Sequence, residues 1–352
     1  MKRILYIVPG QYGYHTDSYQ YCELLAGYHH KVTYLGLDFG KKKRDSELVD
    51  VHLVPAGNSL KWRIGLMLQA LKLEKEYRFD TIVIHTFPLC FLFLLIFSRQ
   101  NLILDIRTSY IEGKFKSLIL NNLLRFESSF FERIFVISWG VADFLNLNRR
   151  KCYLLPLGGD DVPFYSKNTK ELSLLYVGTF YDRHIEKTIE GFSIFIEKYP
   201  GVKAHYTIIG VGSDLEKRKI IEAINTYRLN DKCIFVGEKR HEELCPFFQA
   251  SNIGISYIPL TRYYDCQPPT KTYEYLLNTM IVLATPTTEN KKVIDASNGI
   301  ILEGDSPNDV ADGLEQIWLN REKFCFDTIY NNAKCYTWNH IVQNYLLNII
   351  EE

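Results

Sequence analysis

The chain has 352 residues, of which 47% are hydrophobic, and its 41 basic residues are balanced by 41 acidic residues, so the formal net charge is zero. This length predicts two domains, with enough apolar material for two cores. A nucleic-acid-binding protein usually carries a basic surplus, so the charge balance argues against nucleic acid as a partner.

The eight cysteines and the apolar runs argue against further classes of protein. No two cysteines have C-x-x-C spacing, so we expect free thiols, no zinc site and a reducing, cytoplasmic compartment. The longest apolar run, Leu89–Phe97, falls short of the about 20 residues that cross a bilayer as a helix. The basic N terminus lacks a small-residue cleavage site, which argues against a signal peptide.

The first half of the chain alternates short apolar runs with helical patterns. Five runs have the length and composition of buried strands: Ile4–Val8, Lys31–Leu37, Thr81–Ile84, Leu102–Ile106 and Arg133–Ile137. Helical patterns lie between them at Ser18–Tyr28, Leu89–Phe97 and Lys114–Phe131. Apolar strands alternating with helices predict a parallel sheet that is covered on both faces.

The alternation stops at Leu157, and the polar, turn-rich segment from there to about Ser173 predicts a linker. Five further strands are predicted at Leu174–Val177, His205–Ile209, Ile234–Val236, Ile253–Tyr257 and Ile281–Ala284. Helices are predicted at Glu186–Lys198, Asp214–Thr226, Glu242–Gln249, Thr270–Leu277, Asn308–Asn320 and Trp338–Ile350.

These patterns predict an α/β protein with two Rossmann-like, doubly wound lobes. The boundaries are residues 1–160 and 161–335, with a last helix, about 336–352, that can pack back on the first lobe. Ligands of such sheets bind beyond the carboxyl ends of the strands, so we expect the site in the cleft where the two lobes face each other.

The order of the motifs resembles that of the family-4 glycosyltransferases, which have the GT-B fold. The segments that carry this resemblance include IVPGQYG, DTIVIHT, VISWGV, LLPLGGDD, LLYVGTFYDRH, CIFVGEKRHEEL and PPTKTYEYLLNTMIVLAT, and they span nearly the whole chain. The resemblance implies retaining transfer of a sugar from a nucleotide-sugar donor, UDP-linked in the first place or GDP-linked, without a cofactor or an essential metal. The acceptor would be a saccharide or lipid-linked, in the assembly of surface polysaccharide or glycoconjugate.

The segment from Pro268 to Glu274 opens a predicted helix of the second lobe. Prolines suit a helix start, and the free N–H groups at Thr270 and Lys271, with the positive end of the helix dipole, suit a phosphate. A cation is normally disfavoured there, so a bound diphosphate would explain Lys271. The alternative is a surface ion pair between Lys271 and Glu274 at i,i+3 spacing. The resemblance implies that Glu274 accepts hydrogen bonds from ribose hydroxyls.

The chain departs from the family pattern at one acidic position. Eight residues before Glu274 the family often has a second acid, where this chain has Cys266, with Asp265 beside it. We keep Asp265 as a candidate on the sugar side. The departure leaves an inverting reaction open.

The loop after the first strand of the second lobe is the next candidate for donor binding. Gly178 and Thr179 directly follow the strand. The family often has basic residues at the positions of Thr179 and His184, and Arg183 lies beside His184. Arg183 is the preferred phosphate ligand because its planar fork makes bidentate contacts. The alternative is an arginine that faces solvent.

Glycine loops follow two other predicted strands. Gly237 and Glu238 belong to the loop that lies against the nucleotide base in the family. Gly10 and Gly13 flank the loop that the family uses near the reacting sugar and the acceptor. The segment around Gly10 lacks the G-x-G-x-x-G fingerprint, which argues against a nicotinamide-dependent dehydrogenase.

Three residues at strand ends of the first lobe are candidates for catalysis. His85 ends one predicted strand, so we expect its side chain to face the cleft. Asp105 and Arg107 end the next strand, and many relatives have a histidine in place of Arg107. Arg107 cannot act as a base, and the alternative for these two residues is a mutual ion pair. An inverting reaction would require a base, for which His85 or Asp105 is the candidate.

Two alternative functions remain open. A nucleotide-sugar epimerase on the same fold would need an acid–base set around the sugar, and a non-catalytic partner of another transferase would bind nucleotide weakly.

The stretch Leu60–Leu73 combines basic and apolar residues, and Lys114–Leu120 resembles it. Such helices can lie on the inner face of an anionic membrane as a peripheral contact, or they can be ordinary helices that cover a sheet.

Overall fold

The structure, a computed structural model, describes residues 1–99, 101–110 and 114–352, with all their side chains except those of Ser59 and Lys114. The chain divides into two compact units, Met1–Leu157 together with Trp338–Glu352, and Gly158–Thr337. Each unit contains one parallel sheet.

The sheet of the first unit has seven strands: β1 (Arg3–Ile7), β2 (Lys31–Asp38), β3 (Val49–Pro55), β4 (Thr81–His85), β5 (Leu102–Ile106), β6 (Arg133–Val136) and β7 (Cys152–Leu154). Their order is β3-β2-β1-β4-β5-β6-β7, and all neighbours are parallel. The helices between them are α1 (Thr16–Gly27), α2 (Ser59–Tyr77), α3 (Lys114–Ser128) and α4 (Trp139–Phe144), with 3-10 turns at Cys90–Leu95 and Arg149–Lys151. The central strands β4 and β5 are buried along their whole length and mostly apolar, because helices cover both of their faces.

The sheet of the second unit has six strands: β8 (Leu172–Thr179), β9 (Ala204–Val211), β10 (Cys233–Gly237), β11 (Ile253–Ser256), β12 (Ile281–Ala284) and β13 (Gly299–Ile301). Their order is β10-β9-β8-β11-β12-β13, again parallel. Its helices are α5 (Glu186–Lys198), α6 (Asp214–Thr226), α7 (Cys245–Ala250), α8 (Arg262–Asp265), α9 (Thr270–Leu277), α10 (Thr288–Lys291), α11 (Pro307–Asn320) and α12 (Phe326–Ala333). The 3-10 turns are His241–Glu243, Arg321–Lys323 and Lys334–Tyr336.

The last segment of the chain returns to the first unit as α13 (Trp338–Ile341), a π-helical turn (Val342–Leu346) and α14 (Leu347–Glu351). The Trp338 ring packs edge-on against Tyr21 of α1, with ring centroids 5.7 Å apart. The Tyr28 hydroxyl donates to Asn339 Oδ1 at 2.6 Å. The predicted single helix Trp338–Ile350 is therefore interrupted by a π turn.

In both sheets, the chain adds strands first on one side of the first strand and then on its other side. From β1 the chain proceeds to β2 and β3 on one side and then returns to β4 on the other side. In the second unit it proceeds from β8 to β9 and β10 and returns to β11. The points between β1 and β4, and between β8 and β11, are topological switch points, where ligands of open parallel sheets bind.

The structure corrects two predicted helices. Leu89–Phe97 is not a buried helix but contains the short 3-10 turn Cys90–Leu95, and Leu95 is exposed. Glu242–Gln249 is broken into the 3-10 turn at His241–Glu243 and α7, because Pro246 supplies no N–H within the segment and instead suits the first turn of α7.

The sequence patterns also missed elements. They did not predict β3, β7, β13 or α12, and they described α2 only as a basic apolar stretch. All eight cysteines are free thiols. Within the described part of the chain, no helix is both long enough and apolar enough to span a membrane.

Candidate functional site

In the second unit, the loops after β8 and β11 meet at the switch point. Arg183 lies in the first loop and Tyr264, in α8, in the second. The guanidinium carbon of Arg183 lies 4.1 Å from the centroid of the Tyr264 ring, so the charged group stacks over the ring. This contact stands at the position where the topology predicts a ligand.

One nitrogen of the Arg183 guanidinium makes no hydrogen bond to the described residues. This nitrogen, Nη1, is buried. A buried donor without a partner costs about 1–3 kcal/mol, and more when it is charged. An anionic ligand would satisfy Nη1, and the planar guanidinium suits a phosphate group.

The N terminus of α9 lies in the second of these loops, after β11 and α8. Pro269 is the N-cap residue and Thr270 the first helical residue, so the prolines precede the first turn rather than forming it. The Tyr275 hydroxyl accepts a 2.9 Å hydrogen bond from Val177 N of β8, and the Thr272 hydroxyl donates to Asn290 Oδ1 at 2.8 Å. These bonds fix the helix start at the carboxyl edge of the sheet.

Lys271 and Glu274 form an ion pair through Nζ and Oε2. This is the i,i+3 pair that the spacing allows, but it is not fully on the surface, since Lys271 is 29% exposed and Glu274 13%. The sequence prediction that these two residues bind a donor stays a prediction. The pair holds both side chains in the first two turns of α9, where a phosphate and a nearby diol could exchange for the internal contact.

His241 and Asp160 extend this cluster, and neither was predicted from the sequence. The His241 Nε2 lies 2.7 Å from Asp160 Oδ2. The hydrogen bond to Asp160 raises the pKa of His241 above its usual value against the effect of burial, and the nearby Glu274 raises it further while Lys271 lowers it. His241 therefore lies within electrostatic range of the Lys271–Glu274 pair. The only sequence signal was its position shortly after the Gly237 loop.

Glycines at the strand ends have identifiable structural roles. A side chain on Gly178 would bring its Cβ within 3.0 Å of the Tyr176 hydroxyl, and one on Gly210 would collide with the Gly178 carbonyl. Thr179 O accepts a 2.7 Å hydrogen bond from the Tyr176 hydroxyl. The backbone of this loop is thus tightly packed, which fixes the start of the segment that carries Arg183.

Three other predicted donor residues lie near the surface. His184 is exposed, with its Nδ1 3.2 Å from Glu186 Oε1. Gly237 has a left-handed backbone with φ of 86°, which favours glycine, and Glu238 beside it is exposed. None of these three carries a contact that distinguishes a ligand site from an ordinary loop.

Asp265 is engaged within its own unit. Its carboxylate accepts hydrogen bonds from Thr288 N at 2.8 Å and from the Thr288 hydroxyl at 2.7 Å. Asp265 therefore ties α8 to the first residue of α10. Its predicted role on the sugar side stays a prediction, and its observed contacts connect two helices of the second unit.

In the first unit, the loops after β1 and β4 also meet at the switch point. His15, the N-cap residue of α1, contacts His85 at the end of β4, with ring centroids 4.6 Å apart. His85 does not present an exposed ring, because it is buried and neither ring nitrogen has a hydrogen-bond partner among the described residues. Burial, with the charge of His15, lowers the pKa of His85 to about 3, so the ring is neutral at physiological pH.

Arg107 pairs with Asp17 rather than chiefly with Asp105. Its Nε donates to Asp17 Oδ2 at 2.7 Å and its Nη1 donates to Leu155 O at 2.7 Å, whereas Asp105 Oδ1 lies 3.8 Å away. The ion pair between Asp105 and Arg107 is therefore present, but Asp17, on the first turn of α1, comes closer to Arg107 because the helix start projects over the strand ends. Sequence separation hid this contact.

Asp105 is the carboxyl group of this cluster whose pKa lies near neutral pH. Burial raises its pKa to about 7, the charge of Asp17 adds to the rise, and Arg107 opposes it. The pKa of Asp17 moves the other way, because Arg107 and the hydrogen bond from His15 outweigh burial. Two carboxyls on one arginine thus differ in charge state near neutral pH.

His15 is the accessible member of the cluster, and the sequence analysis missed it. Its Nδ1 lies 2.5 Å from Asp17 Oδ1, and the side chain is 39% exposed. Burial lowers the pKa of His15, but the hydrogen bond to Asp17 and the charge of Asp17 raise it above its usual value. An imidazole held by a carboxylate at one nitrogen has its other nitrogen free for proton transfer.

The glycines of the loop after β1 serve its packing. The Gly10 carbonyl accepts hydrogen bonds from the Tyr34 hydroxyl and from Leu37 N, both at 3.0 Å. Gly13 has φ of 82°, and a Cβ there would collide with the Arg44 side chain, so a larger residue would not fit. In the described ranges, no group of three or more His, Cys, Asp or Glu side chains is arranged to hold a metal ion.

Part of the second unit matches a known family model. Residues 171–320 match the family model described as "Glycosyl transferases group 1", a range that includes Arg183, Lys271 and Glu274. No curated protein sequence matches the chain.

Solved structures share the fold over nearly the whole chain. Sucrose-phosphate synthase from Thermosynechococcus elongatus is similar with a TM-score of 0.72 and 16% identity, covering 97% of both chains. Alr3699/HepE from Anabaena, solved with UDP, gives 0.71 and 12%, covering 97% of this chain and 98% of the other. A variant of TarM from S. aureus gives 0.72 and 11%, covering 100% of both. Most of the second unit thus matches the model of the group 1 glycosyl transferases, and the whole chain shares the two-lobed GT-B fold of these solved structures.

Proposed function

We propose that the chain transfers a sugar, with retention of configuration, from a nucleoside diphosphate donor to a saccharide or lipid-linked acceptor, and that the donor binds at the switch point of the second unit. The observation that carries this proposal is the unpartnered, buried Nη1 of Arg183, which lies in the loop beside β8 while α9 begins in the loop beside β11. A diphosphate would satisfy both the guanidinium and the free N–H groups of the helix.

Two of the similar structures support this choice of donor. Alr3699/HepE is described in complex with UDP, and the TarM variant in complex with UDP and alpha-GlcNAc-glycerol. We therefore propose UDP as the first nucleotide to test and GDP as the second. We assign the acceptor to the first unit, as the family resemblance implies, and the reaction to the assembly of surface polysaccharide or glycoconjugate on the cytoplasmic side.

The proposed catalysis is electrostatic. Negative charge develops on the leaving diphosphate, and Arg183, Lys271 and the N terminus of α9 would stabilise it. When the diphosphate binds, Lys271 would exchange Glu274 for a phosphate oxygen, and Glu274 would accept hydrogen bonds from the ribose diol. Because these groups supply the positive charge that a divalent cation would otherwise provide, we propose that no metal is essential.

The stereochemical part of the proposal separates two mechanisms. Retention can proceed by attack on the face from which the nucleotide leaves, without a protein nucleophile. Inversion requires a base for the acceptor hydroxyl, and His15, held by Asp17 and partly exposed, is better placed for that than the buried His85 and Asp105. Proton NMR of the anomeric centre of the product decides between them.

Nucleotide binding is the first test. Thermal unfolding and calorimetric titration with UDP, GDP and ADP should show stabilisation by one of the three, since a ligand that binds only the folded state raises its stability. If none of the nucleotides binds, the proposal fails and a non-catalytic partner becomes the better interpretation. Incubation with the donor alone tests the epimerase, which would convert the sugar without an acceptor.

The two residues of the ion pair have separable roles. Lys271→Ala should weaken binding of both UDP and pyrophosphate by about 10- to 100-fold, because a charge-assisted contact to phosphate is lost. Glu274→Ala should weaken UDP by a similar factor, leave pyrophosphate unchanged and abolish turnover, because pyrophosphate has no ribose. Equal, wild-type binding and kinetics in both variants would remove these residues from the site.

A further inference from the structure

Three elements cover one face of the sheet in the first unit. The connections from β3 to β4, from β4 to β5 and from β5 to β6 all run in one direction across the sheet, so right-handed crossovers place α2, the turn at Cys90–Leu95 and α3 on the same face. Arg63 Nε of α2 donates to Pro88 O at 2.9 Å. Leu89 N donates to Glu127 Oε1 of α3 at 2.7 Å, so the turn bridges the two helices.

The helix α2 is apolar on two sides. Leu66, Ala70 and Leu73 are buried. Leu60, Ile64 and Leu68 follow one another at four-residue spacing and are exposed, Leu68 at 62%. A helix that only covers a sheet should present polar residues outward, so α2 has a second apolar surface without a partner among the described residues.

The turn and α3 continue this outward apolar surface. Leu95 of the turn is 80% exposed and Phe115 at the start of α3 is 77% exposed. Leu118, Ile119 and Phe126 of α3 are exposed as well. We define the apolar–basic face as the exposed apolar side chains of these three elements and the charged side chains among them: Leu60, Ile64, Leu68, Leu95, Phe115, Leu118, Ile119 and Phe126, with Lys61, Lys72, Lys116 and Arg125. Monomeric proteins rarely expose so many large apolar side chains together.

The exposed charges of the apolar–basic face are almost all positive. Glu127 of α3 is buried and binds Leu89 N, and the acids of α2, Glu74 and Glu76, are confined to its last turn. Because the whole chain is neutral, this positive surplus is local. Apolar side chains interspersed with lysine and arginine complement a surface with an apolar interior and negative headgroups.

We propose that the apolar–basic face docks on a lipid bilayer that contains anionic lipids, with α2 and α3 lying along the interface. The inner side of α2 packs on the sheet, so the helix lies on the bilayer rather than across it. This proposal does not depend on the proposed function, but a lipid-linked acceptor would reside at the same surface. A second copy of the chain is the competing occupant, and it is disfavoured because two copies would bring like charges together.

Vesicle co-sedimentation tests the proposal on the intact protein. Vesicles of phosphatidylcholine alone are compared with vesicles that also contain phosphatidylglycerol, at low and at high salt. We expect binding to the anionic vesicles at low salt and weaker binding at high salt, because salt screens the headgroup attraction. Equal recovery in the supernatant under all conditions would overturn the proposal.

Substitutions locate the binding surface. Leu68→Glu and Leu118→Glu should each reduce partitioning by about tenfold, since each removes one buried apolar side chain from the interface. Leu215→Glu places the same change on an exposed leucine of α6 in the second unit and should leave partitioning unchanged. Thermal unfolding of each variant without vesicles checks that the fold is intact. Loss of binding in the Leu215 variant alone, or no loss in the other two, contradicts the assignment.

Light scattering distinguishes the competing occupant. A monomer in solution at the concentrations of the vesicle assay agrees with lipid docking. A dimer that Leu68→Glu dissociates would show that the face is an interface between copies and would overturn the lipid proposal. UDP titration without vesicles is independent of these measurements, so a failure here is not a failure of the proposed function.

Discussion

Arg183 combines two features that a lysine could not reproduce. Its guanidinium stacks on the Tyr264 ring, and its buried Nη1 is available for a ligand. Lysine has a compact ammonium without a planar face, so it keeps the charge but loses the stacking and the paired donors. Replacing Arg183 by lysine therefore distinguishes the contribution of its charge to ligand binding from the contribution of its planar shape.

We expect Arg183→Lys to bind UDP about tenfold more weakly than the native protein, because one charge-assisted hydrogen bond is lost. Calorimetric titration measures the change. Arg262→Lys, on α8 beside Tyr263, serves as the control for a basic residue of the same region. If Arg183→Lys binds as the native protein does, the guanidinium makes no bidentate contact with the donor.

Asp105 makes stability depend on pH. Its pKa is about 7 in the folded protein, above the usual value of 3.8. Between about pH 4 and pH 7 the folded state therefore holds a proton that the unfolded state has lost. The stability that this proton contributes is complete below about pH 4 and is lost as the pH rises through 7.

Asp105→Asn cannot ionise, so it should gain stability relative to the native protein at pH 8 but much less at pH 5. The difference is on the order of a few kcal/mol, as expected for a shift of several pH units. Thermal unfolding at both pH values measures it, with Asp312→Asn on the exposed side of α11 as the control. An equal effect at pH 5 and pH 8 would contradict a raised pKa.

At the level of residues, the sequence offers candidates by their position in an element and does not reveal contacts between distant residues. Arg183, Lys271 and Glu274 are candidates because they lie near helix and strand ends, and their roles stay predictions. The contacts of Asp17 with Arg107, and of His241 with Asp160, join residues 90 and 81 positions apart. No local pattern records such partners, because they depend on how the strands are ordered in the sheet.

At the level of elements, close backbone approach explains a glycine that sequence alone could not interpret. Gly210 lies in β9 beside Gly178 in β8, and a Cβ at Gly210 would overlap the Gly178 carbonyl. The two glycines thus allow β8 and β9 to pair up to their carboxyl ends, where the Arg183 loop begins.

Gly210→Ala should lower the free energy of unfolding by about 3 kcal/mol, because the added methyl group forces the two strands apart. Gly201→Ala is the matched control, since a Cβ at Gly201 would have no heavy atom of another residue within 4 Å apart from its chain neighbours. Denaturant unfolding of both variants gives the comparison. Similar stability of the two variants would mean that the strands adjust without strain.

Elements with a strong local signal were predicted well. The helix Thr270–Leu277 was predicted with the bounds that the structure gives, because prolines precede it and its apolar spacing is regular. The strand β3 was missed although Val49, Val51 and Leu53 alternate with polar residues, and Val49 alone of its residues is buried. Burial at a sheet edge depends on neighbours that sequence periodicity does not contain.

At the level of the whole molecule, the two doubly wound units follow from the alternation of strands and helices, whereas the return of the last segment was predicted only as packing that could occur. This segment places Trp338, Ile341, Val342, Leu346 and Ile350 in buried positions of the chain. Their burial contributes on the order of 10 kcal/mol at about 1.5–3 kcal/mol per large side chain, which is comparable to the stability of a domain.

Truncation after Thr337 should therefore unfold the first unit and leave the second unit folded. Calorimetry should show the loss of one transition, and limited proteolysis should leave a fragment of the size of Gly158–Thr337. Truncation after Leu346, which keeps Trp338 and its contact with Tyr21, should have a smaller effect. Two unchanged transitions in the shorter chain would contradict the contribution of the segment.

The return of the last segment also sets an order of events during synthesis. A ribosome makes residues 1–157 before the second unit, but the Trp338 ring that packs on Tyr21 is made after the second unit. The second unit, Gly158–Thr337, is contiguous and can fold as soon as it has emerged. The apolar surface of the first unit on which the last segment packs therefore stays uncovered while the 180 residues of the second unit are added. Of the two units, the one whose synthesis begins earlier is thus completed later.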